Sequence, residues 1–164
     1  MKKLRICLIS RYPPIPGGTS STSYWMTRRL GKLGHRVYVV TDSLQGRLKA
    51  KNIDYPKELQ PKNVKVYTTE GIEGLSALAI EVIKENNVDI IDARYLLPYG
   101  LSGLIAKTLT GKPLVMKHAG SDMLKYFDNP GVSRAVFGSV EEFRYRNYQS
   151  SKKEGIYKVG DQRK

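Results

Sequence analysis

Two glycine-containing loops carry the residues whose types and spacing could do chemistry. The first follows an early apolar run and contains Tyr12, three prolines, Gly17-Gly18 and a Ser/Thr cluster from Thr19 to Ser23. Its paired glycines let the backbone approach a ligand closely, because no Cβ is in the way. A helix N-terminus after such a loop can bind an anion, since N–H groups and the helix dipole point to one place. A tight turn that binds nothing explains the same residues about as well.

The second loop, His118-Ala119-Gly120-Ser121-Asp122, follows the last apolar run. An imidazole at the end of a strand can donate a hydrogen bond or move a proton near neutral pH. Taken alone, His118 fits a structural role better, and Asp122 fits a helix cap better than an acid. No second histidine or cysteine lies nearby in the sequence, so no metal site is expected.

Alternating strand and helix patterns must position both loops. Short apolar or β-branched runs predict strands, and a 3.6-residue apolar period predicts the helices between them. The predicted strands are Leu4–Ser10, Arg36–Thr41, Val64–Thr68, Val88–Ala93 and Leu114–Lys117. The predicted helices begin near Thr22, span Ile72–Asn86, and follow Gly100.

Apolar spacing also predicts which side of each helix is buried. A cap among Ser20 to Ser23 should begin the first helix, and Gly34 should end it. The predicted inward residues are Met26, Leu30 and Leu33 in the first helix, Ile72, Leu75, Leu78, Ala79, Val82 and Ile83 in the second, and Leu101, Leu104, Ile105 and Leu109 in the third.

Nearly continuous apolar strands that alternate with helices are typical of a parallel sheet covered on both faces. We therefore predict an α/β fold, a Rossmann-like doubly wound sheet in three layers with the first strand central. Ligands of such sheets bind at the carboxyl ends of the strands. Both loops fall at that edge, so Gly17, Gly18 and His118 should converge there. Gly17 or Gly18 should then have a backbone conformation, or a close approach, that a side chain would obstruct.

Length and composition set the outer limits of the interpretation. The chain of 164 residues has room for one domain, predicted to span residues 1–148, with residues 149–164 as a polar, basic tail. A further helix is predicted over residues 133–148. Cys7, the single cysteine, is interpreted as a small buried hydrophobe. No stretch has the length of a membrane span, and we expect a cytoplasmic protein.

The net charge of +13 is concentrated in the first third of the chain. A basic face can attract nucleic acid, anionic lipid or a phosphorylated substrate, and a solvated surface without a partner fits about equally well. No nucleic-acid motif is present, so nucleic acid is not an expected partner. We predict instead a face that meets the acceptor or an anionic membrane, and the protein would bind the inner side of that membrane peripherally. The face comprises Arg28, Arg29, Lys32, Arg47, Lys49, Lys51 and Arg94.

Several segments, in order, resemble the N-terminal domain of GT-B glycosyltransferases of the retaining group 1, or family 4, type. They are the proline-rich loop with Gly17-Gly18, Leu33–Val37, Leu96–Leu101, Gly111–Val115 and His118–Asp122. The resemblance covers roughly residues 3–125, and matched segments in the same order are a stronger signal than any single motif.

The resemblance implies one half of a two-domain enzyme, in which this half binds mainly the acceptor. A C-terminal donor domain would bind a nucleotide-sugar of the UDP or GDP type. Gly17 and Gly18 would lie against the donor diphosphate. His118 would be the catalytic residue that stabilises the oxocarbenium-like transition state, and Gly120 and Asp122 would shape the same pocket. The resemblance implies no metal and no permanently bound cofactor, because the nucleotide-sugar is a substrate.

Two features depart from the family pattern. Many relatives carry histidines where this chain has Asp92 and Arg94, which leaves the identity of the acceptor open and assigns Arg94 to the acceptor side. The donor domain does not follow Asp122, so the chain alone is expected to be inactive, whether it is an excised domain or a natural truncation.

The leading prediction is the acceptor-binding half of a retaining enzyme that transfers a hexosyl group to a saccharide or a lipid-linked acceptor. The alternative is a non-catalytic Rossmann-like module whose basic face holds an anionic membrane or a partner. An NAD-type dehydrogenase is disfavoured, because the first loop lacks the glycine fingerprint and Thr41-Asp42 only weakly matches the expected acidic residue.

Overall fold

Strands and helices alternate along residues 2–42 and 61–118, which the computed structural model describes. All of these residues belong to one compact unit, Met1–Met123. The strands are β1 (Arg5–Ile9), β2 (Arg36–Asp42), β3 (Val64–Thr69), β4 (Ile90–Arg94) and β5 (Leu114–Lys117). The helices are α1 (Gly18–Lys32), α2 (Gly71–Glu85) and α3 (Leu101–Thr110), and a kinked turn with an extended Leu97 covers Leu96–Gly100.

The strands form one parallel sheet in the order β3-β2-β1-β4-β5, so β1 is central as predicted. In the register of the sheet, Leu8 pairs with Val39 of β2 and with Asp92 of β4. Side chains alternate between the two faces along each strand. The prediction of a Rossmann-like, doubly wound α/β sheet is therefore confirmed.

Each face of the sheet has its own buried core. Cys7, Ile9 and Val40 pack with α2 and α3 on one face, whereas Leu8 and Val39 pack with α1 on the other. Cys7 is fully buried, and desolvation raises the pKa of its thiol to about 12. Its interpretation as a buried hydrophobe is confirmed.

Helix α1 differs from the prediction in its start and in its buried face. It begins at Gly18, with Gly17 as a cap that makes no side-chain hydrogen bond, so the predicted serine or threonine cap is wrong. Of the residues predicted to face inward, Met26 and Leu30 are half-buried and pack against the core, but Leu33 follows the helix and is 44% exposed. Small and hydroxyl-bearing residues occupy the buried face, together with one tyrosine: Ser20, Ser23, Tyr24, Thr27 and Gly31.

Two hydroxyl groups on this face, those of Ser23 and Thr27, bond to the loop after β1, whereas the buried Ser20 hydroxyl has no hydrogen-bond partner among the described residues. The hydroxyls of Ser10 and Ser23 are 2.8 Å apart, and those of Tyr12 and Thr27 are also 2.8 Å apart. A buried polar group that is hydrogen-bonded avoids most of its desolvation cost. The loop after β1 is thereby tied to α1 by two buried hydrogen bonds.

The other helices follow the predicted spacing to different degrees. In α2 the expected residues Leu75, Ala79, Val82 and Ile83 are buried, but Ile72 is 37% exposed. In α3 the buried residues are the small ones, Ser102, Gly103 and Ala106, and the predicted Leu109 is 63% exposed. Helix α1 ends as predicted, since Gly34 has a φ of 86° and His35 N–H donates to Leu30 C=O at 3.1 Å.

An ion pair at the amino edge of the sheet joins β1 to the start of β4. The Arg5 guanidinium lies 3.0 Å from one Asp89 oxygen, and the Arg5 backbone N–H donates to the other at 2.8 Å. These hydrogen bonds from the Arg5 side chain and backbone lower the pKa of Asp89 to about 2. The carboxylate is therefore stabilised in the folded chain.

This pair predicts an acid-dependent part of the stability. The folded pKa of Asp89 lies below the unfolded value of about 3.9, so its contribution is present above that pH and is lost as the pH falls toward 2. Asp89→Asn should reduce the loss of stability between pH 4 and pH 2, measured by urea unfolding. Glu81→Gln, at an exposed acid of α2, should leave the slope unchanged. An unchanged slope in Asp89→Asn would show that the pair is not the cause.

Several sequence-based predictions lie outside the described residues and stay predictions. They include the boundary between residues 1–148 and the tail 149–164, the helix over 133–148, and five of the site residues: Arg47, Lys49, Lys51, Gly120 and Asp122.

Candidate functional site at the carboxyl edge

The strand order places a topological switch point between β1 and β4. From β1 the chain moves outward to β2 and β3, and it then returns to the opposite side of β1 for β4 and β5. The connections leave the carboxyl ends of β1 and β4 in opposite directions, which opens a crevice where ligands of α/β sheets bind. Residues 10–17 follow β1 at this crevice, and residues 95–100 follow β4.

Gly17 and Gly18 join the loop after β1 to helix α1. Gly17 has a φ of 133°, a conformation that favours glycine, as the sequence-based expectation required. No atom of the described structure lies within 4 Å of a Cβ built on either residue. The first turn of α1 therefore presents backbone N–H groups, uncapped by a side chain, beside open space. Binding of a diphosphate at this place stays a prediction.

His118 directly follows β5 and is half-buried, so it is neither sealed in the core nor fully exposed. Strand β5 is separated from β1 by β4 alone, which places His118 on the same edge as Gly17 and Gly18. Neighbouring strands are about 4.8 Å apart, so the ends of β1 and β5 are separated by roughly 10 Å. The catalytic role of His118 stays a prediction.

A cluster that the sequence analysis missed lies at the switch point itself. The guanidinium of Arg11, just after β1, lies 5.5 Å from the ring centroid of Tyr95, just after β4. The hydroxyl of Tyr99, a fully buried residue, donates to the Asp42 carboxylate at 3.0 Å. Burial and the nearby Asp42 raise the pKa of Tyr99, and the positive charge of Arg11 opposes them. The four residues thus connect the ends of β1, β2 and β4.

Tyr95 has a backbone conformation that is rare for an aromatic residue. Its φ is 85° and its ψ is 139°, and its N–H donates to Lys117 C=O at 3.0 Å while its C=O accepts from Gly100 at 2.8 Å. Such a conformation costs on the order of 1–3 kcal/mol and persists where the surroundings enforce it, often at binding sites. Arg11 could have been found from the sequence, because it directly follows the predicted strand Leu4–Ser10, whereas the predicted strand Val88–Ala93 ends two residues before Tyr95.

Arg94 lies on the opposite face of β4 from the core of α2 and α3. It is 8% exposed, its guanidinium lies 3.2 Å from Asp92, and it also contacts the sulfur of Met26 in α1. Arg94 is therefore not part of an exposed basic face, which corrects its grouping with the surface cations. Its position at the carboxyl end of β4 is compatible with the acceptor side, and that role stays a prediction.

The outer side of α1 carries the exposed residues of the predicted basic face. Arg29 and Lys32 are exposed, and the guanidinium of Arg28 lies 5.4 Å from the ring centroid of Trp25. Trp25 is 52% exposed and was not singled out in the sequence. No aspartate or glutamate precedes Asp42 in the chain, so this helix has no acidic side chain to offset its charge.

The described residues offer neither a metal-binding cluster nor a membrane-spanning helix. No group of three or more His, Cys, Asp or Glu side chains that could hold a metal ion occurs among them. None of their helices combines the length and the apolar character that a membrane crossing requires.

Comparison with known proteins decides the family. The model of Glycosyltransferase Family 4 matches residues 16–145, which are more than half of the chain and include Gly17, Gly18 and the loop His118–Asp122. The chain belongs to glycosyltransferase family 4. The Rossmann-like sheet with its central β1 is thus the N-terminal domain fold of a GT-B glycosyltransferase, as the resemblance implied.

A curated relative and a solved structure agree with this membership. An N-acetyl-alpha-D-glucosaminyl L-malate synthase of Bacillus anthracis is 23% identical over 141 residues, which cover 82% of this chain and 36% of the relative. A glycosyltransferase from Rickettsia africae ESF-5 is 20% identical, with a TM-score of 0.52, over 79% of this chain and 34% of that one. At this identity the solved structure shows the fold alone. The family 4 chain described here spans about a third of the length of both relatives.

Proposed function

We propose that this chain is the acceptor-binding half of a retaining glycosyltransferase that acts together with a C-terminal donor domain. The reaction is transfer of a hexosyl group from a UDP- or GDP-linked sugar to a saccharide or a lipid-linked acceptor. The observation that carries the proposal is the family match, which includes Gly17, Gly18 and His118 at the carboxyl edge. The name of the curated relative describes a sugar unit joined to L-malate, which supports sugar transfer.

In this proposal the loop after β1 holds the leaving group. The departing nucleoside diphosphate gains negative charge, and the uncapped N–H groups at the start of α1 stabilise that charge. The open space beside Gly17 and Gly18 lets the diphosphate reach the backbone. The partners in the reaction are the nucleotide-sugar, the acceptor and the donor domain, with no metal and no permanently bound cofactor.

His118, together with Gly120 and Asp122, would complete the pocket on the side of β5. An imidazole near the transferred sugar can donate a hydrogen bond as positive charge develops at the anomeric carbon and negative charge on the leaving group. Acceptor residues would come from the ends of β1 and β4, where Arg94 and the cluster around Arg11 lie.

The test mixes this chain with a separately produced donor domain and measures sugar transfer from labelled UDP- and GDP-sugars. Transfer is expected only from the mixture, and the chain alone should bind nucleotide-sugars weakly or not at all. Micromolar affinity of the chain alone, which is about 8 kcal/mol of binding free energy, would contradict the division of roles. Transfer that is absent both from the mixture and from the full-length enzyme would contradict the proposed function.

We also propose that the outer side of α1 contacts an anionic membrane. The protein would then be cytoplasmic and bound to the inner face of that membrane. Trp25 favours this second proposal, because an exposed tryptophan beside cations is typical of the membrane–water interface. Each basic residue near such a surface contributes about 1 kcal/mol, and salt screens the attraction. A lipid-linked acceptor would then be presented at this side.

Vesicle binding tests the membrane contact with a built-in reporter, since Trp25 is the single tryptophan of the chain. Anionic vesicles at low salt should sediment with the protein and shift the Trp25 emission to shorter wavelength, and high salt should reverse both effects. Trp25→Ser should weaken sedimentation, whereas Leu109→Ser, at an exposed leucine of α3 on the other face of the sheet, should not. Equal binding to neutral vesicles, or binding to neither kind, would exclude this contact.

A further inference from the structure

We propose that Arg11 binds a negatively charged group of the acceptor, a carboxylate or a phosphate, at the switch point between β1 and β4. The inference rests on the proposed function, because the chain has an acceptor only if it is part of a glycosyltransferase. It adds that the acceptor is negatively charged and that Arg11 determines specificity for it. Three arginines at the two edges of the sheet, Arg5, Arg11 and Arg94, are half-buried or buried, and they have different partners.

Arg5 and Arg94 each lie within 3.2 Å of an aspartate. Arg11 is half-buried and takes part in neither of these ion pairs, the two found within the described residues. Its guanidinium lies 5.5 Å from the centroid of the Tyr95 ring instead, and its positive charge acts to lower the pKa of Tyr99. A cation that is partly removed from water without a direct counter-ion is costly, and an anionic ligand offsets that cost.

The surroundings of Arg11 hold it at the crevice. Tyr95, which has the unusual φ of 85°, offers the face of its ring to Arg11, and such a face attracts a cation. Tyr99 donates its hydroxyl hydrogen to Asp42, so the Tyr99 oxygen can accept a hydrogen bond from Arg11. Asp42 acts on Arg11 through Tyr99 and is a positioning residue rather than a counter-ion in direct contact.

Guanidinium geometry then specifies the class of ligand. Two parallel N–H groups of arginine match the two oxygens of a carboxylate or of a phosphate, and lysine lacks this match. The donor diphosphate is already assigned to the start of α1, so the group that Arg11 binds belongs to the acceptor. An anionic acceptor would thus be oriented at the carboxyl end of β1, beside the diphosphate.

Anion binding by Arg11 is tested by titrating the chain, at constant ionic strength, with inorganic phosphate and separately with malonate. Amide NMR signals of residues 95–100 should shift in a saturable way, and the tighter probe distinguishes phosphate from carboxylate. Arg11→Gln should lower the affinity at least about tenfold, which is about 1.4 kcal/mol. Arg11→Lys keeps the charge and should bind more weakly than the wild type, and it serves if the glutamine variant does not fold.

Arg36→Gln is the matched control, because it removes the same charge from an exposed arginine at the amino edge of the sheet. It should titrate like the wild type. Equal weakening in Arg36→Gln and Arg11→Gln would assign the binding to the overall positive field and overturn the inference, as would wild-type affinity in Arg11→Gln. In the full-length enzyme, an unchanged acceptor KM in Arg11→Gln would overturn the inference alone. Anion binding at Arg11 without any sugar transfer would contradict the proposed function alone.

Discussion

Replacing His118 with alanine in the full-length enzyme should lower turnover roughly a hundredfold or more, since one positioned transition-state contact contributes about 3 kcal/mol. His118 lies directly after β5, on the edge that also carries Gly17 and Gly18. Its half-buried position predicts a modest effect of the substitution on stability. The expected result is therefore a large loss of kcat with a nearly unchanged melting temperature.

The other histidine of the chain provides the matched control. His35 is 5% exposed, and its Nδ1 accepts a hydrogen bond from the Leu4 N–H at 3.0 Å. His35→Ala leaves that buried donor unsatisfied and should cost about 1–3 kcal/mol of stability, with normal turnover per folded molecule. Wild-type turnover in His118→Ala, with the fold intact by circular dichroism, would show that His118 is structural.

The sequence was sufficient for the order and type of the described elements, because strand runs and helix periods are local properties. It was not sufficient for the buried faces of α1 and α3. Periodicity searches weight large apolar residues, but these helices pack through small ones, such as Thr27 in α1 and Gly103 in α3. Helices that lie close to a sheet have little room for leucines, and Leu109 is accordingly exposed.

The site shows the same division between local and long-range information. The carboxyl edge could be predicted, since the βαβ pattern fixes where strands end and where loops begin. The pairing of Tyr99 with Asp42 could not, because the two residues are 57 positions apart and meet only through the strand order. The exposure of Trp25 likewise depends on which side of α1 faces the sheet. That side was predicted in part, since Met26 and Leu30 pack against the core and Leu33 is exposed.

Gly18→Val should lower the affinity of the full-length enzyme for its nucleotide-sugar at least about tenfold, or about 1.4 kcal/mol. Gly18 begins α1, its φ is not positive, and a Cβ there meets no described atom within 4 Å. A valine can therefore be accommodated by the fold but would occupy the space assigned to the diphosphate. Gly17 is a poorer choice for this test, because its φ of 133° strains any side chain.

The control for the Gly18 variant is Thr22→Val, which places the same side chain on an exposed position of the same helix. Both variants should melt within a few degrees of the wild type. Calorimetry should show weaker donor binding for Gly18→Val and wild-type binding for Thr22→Val. Wild-type affinity in Gly18→Val would mean that the diphosphate lies elsewhere. Gly18→Ala should fall between the wild type and Gly18→Val, because a steric cause scales with the volume that each side chain adds beside the first turn of α1.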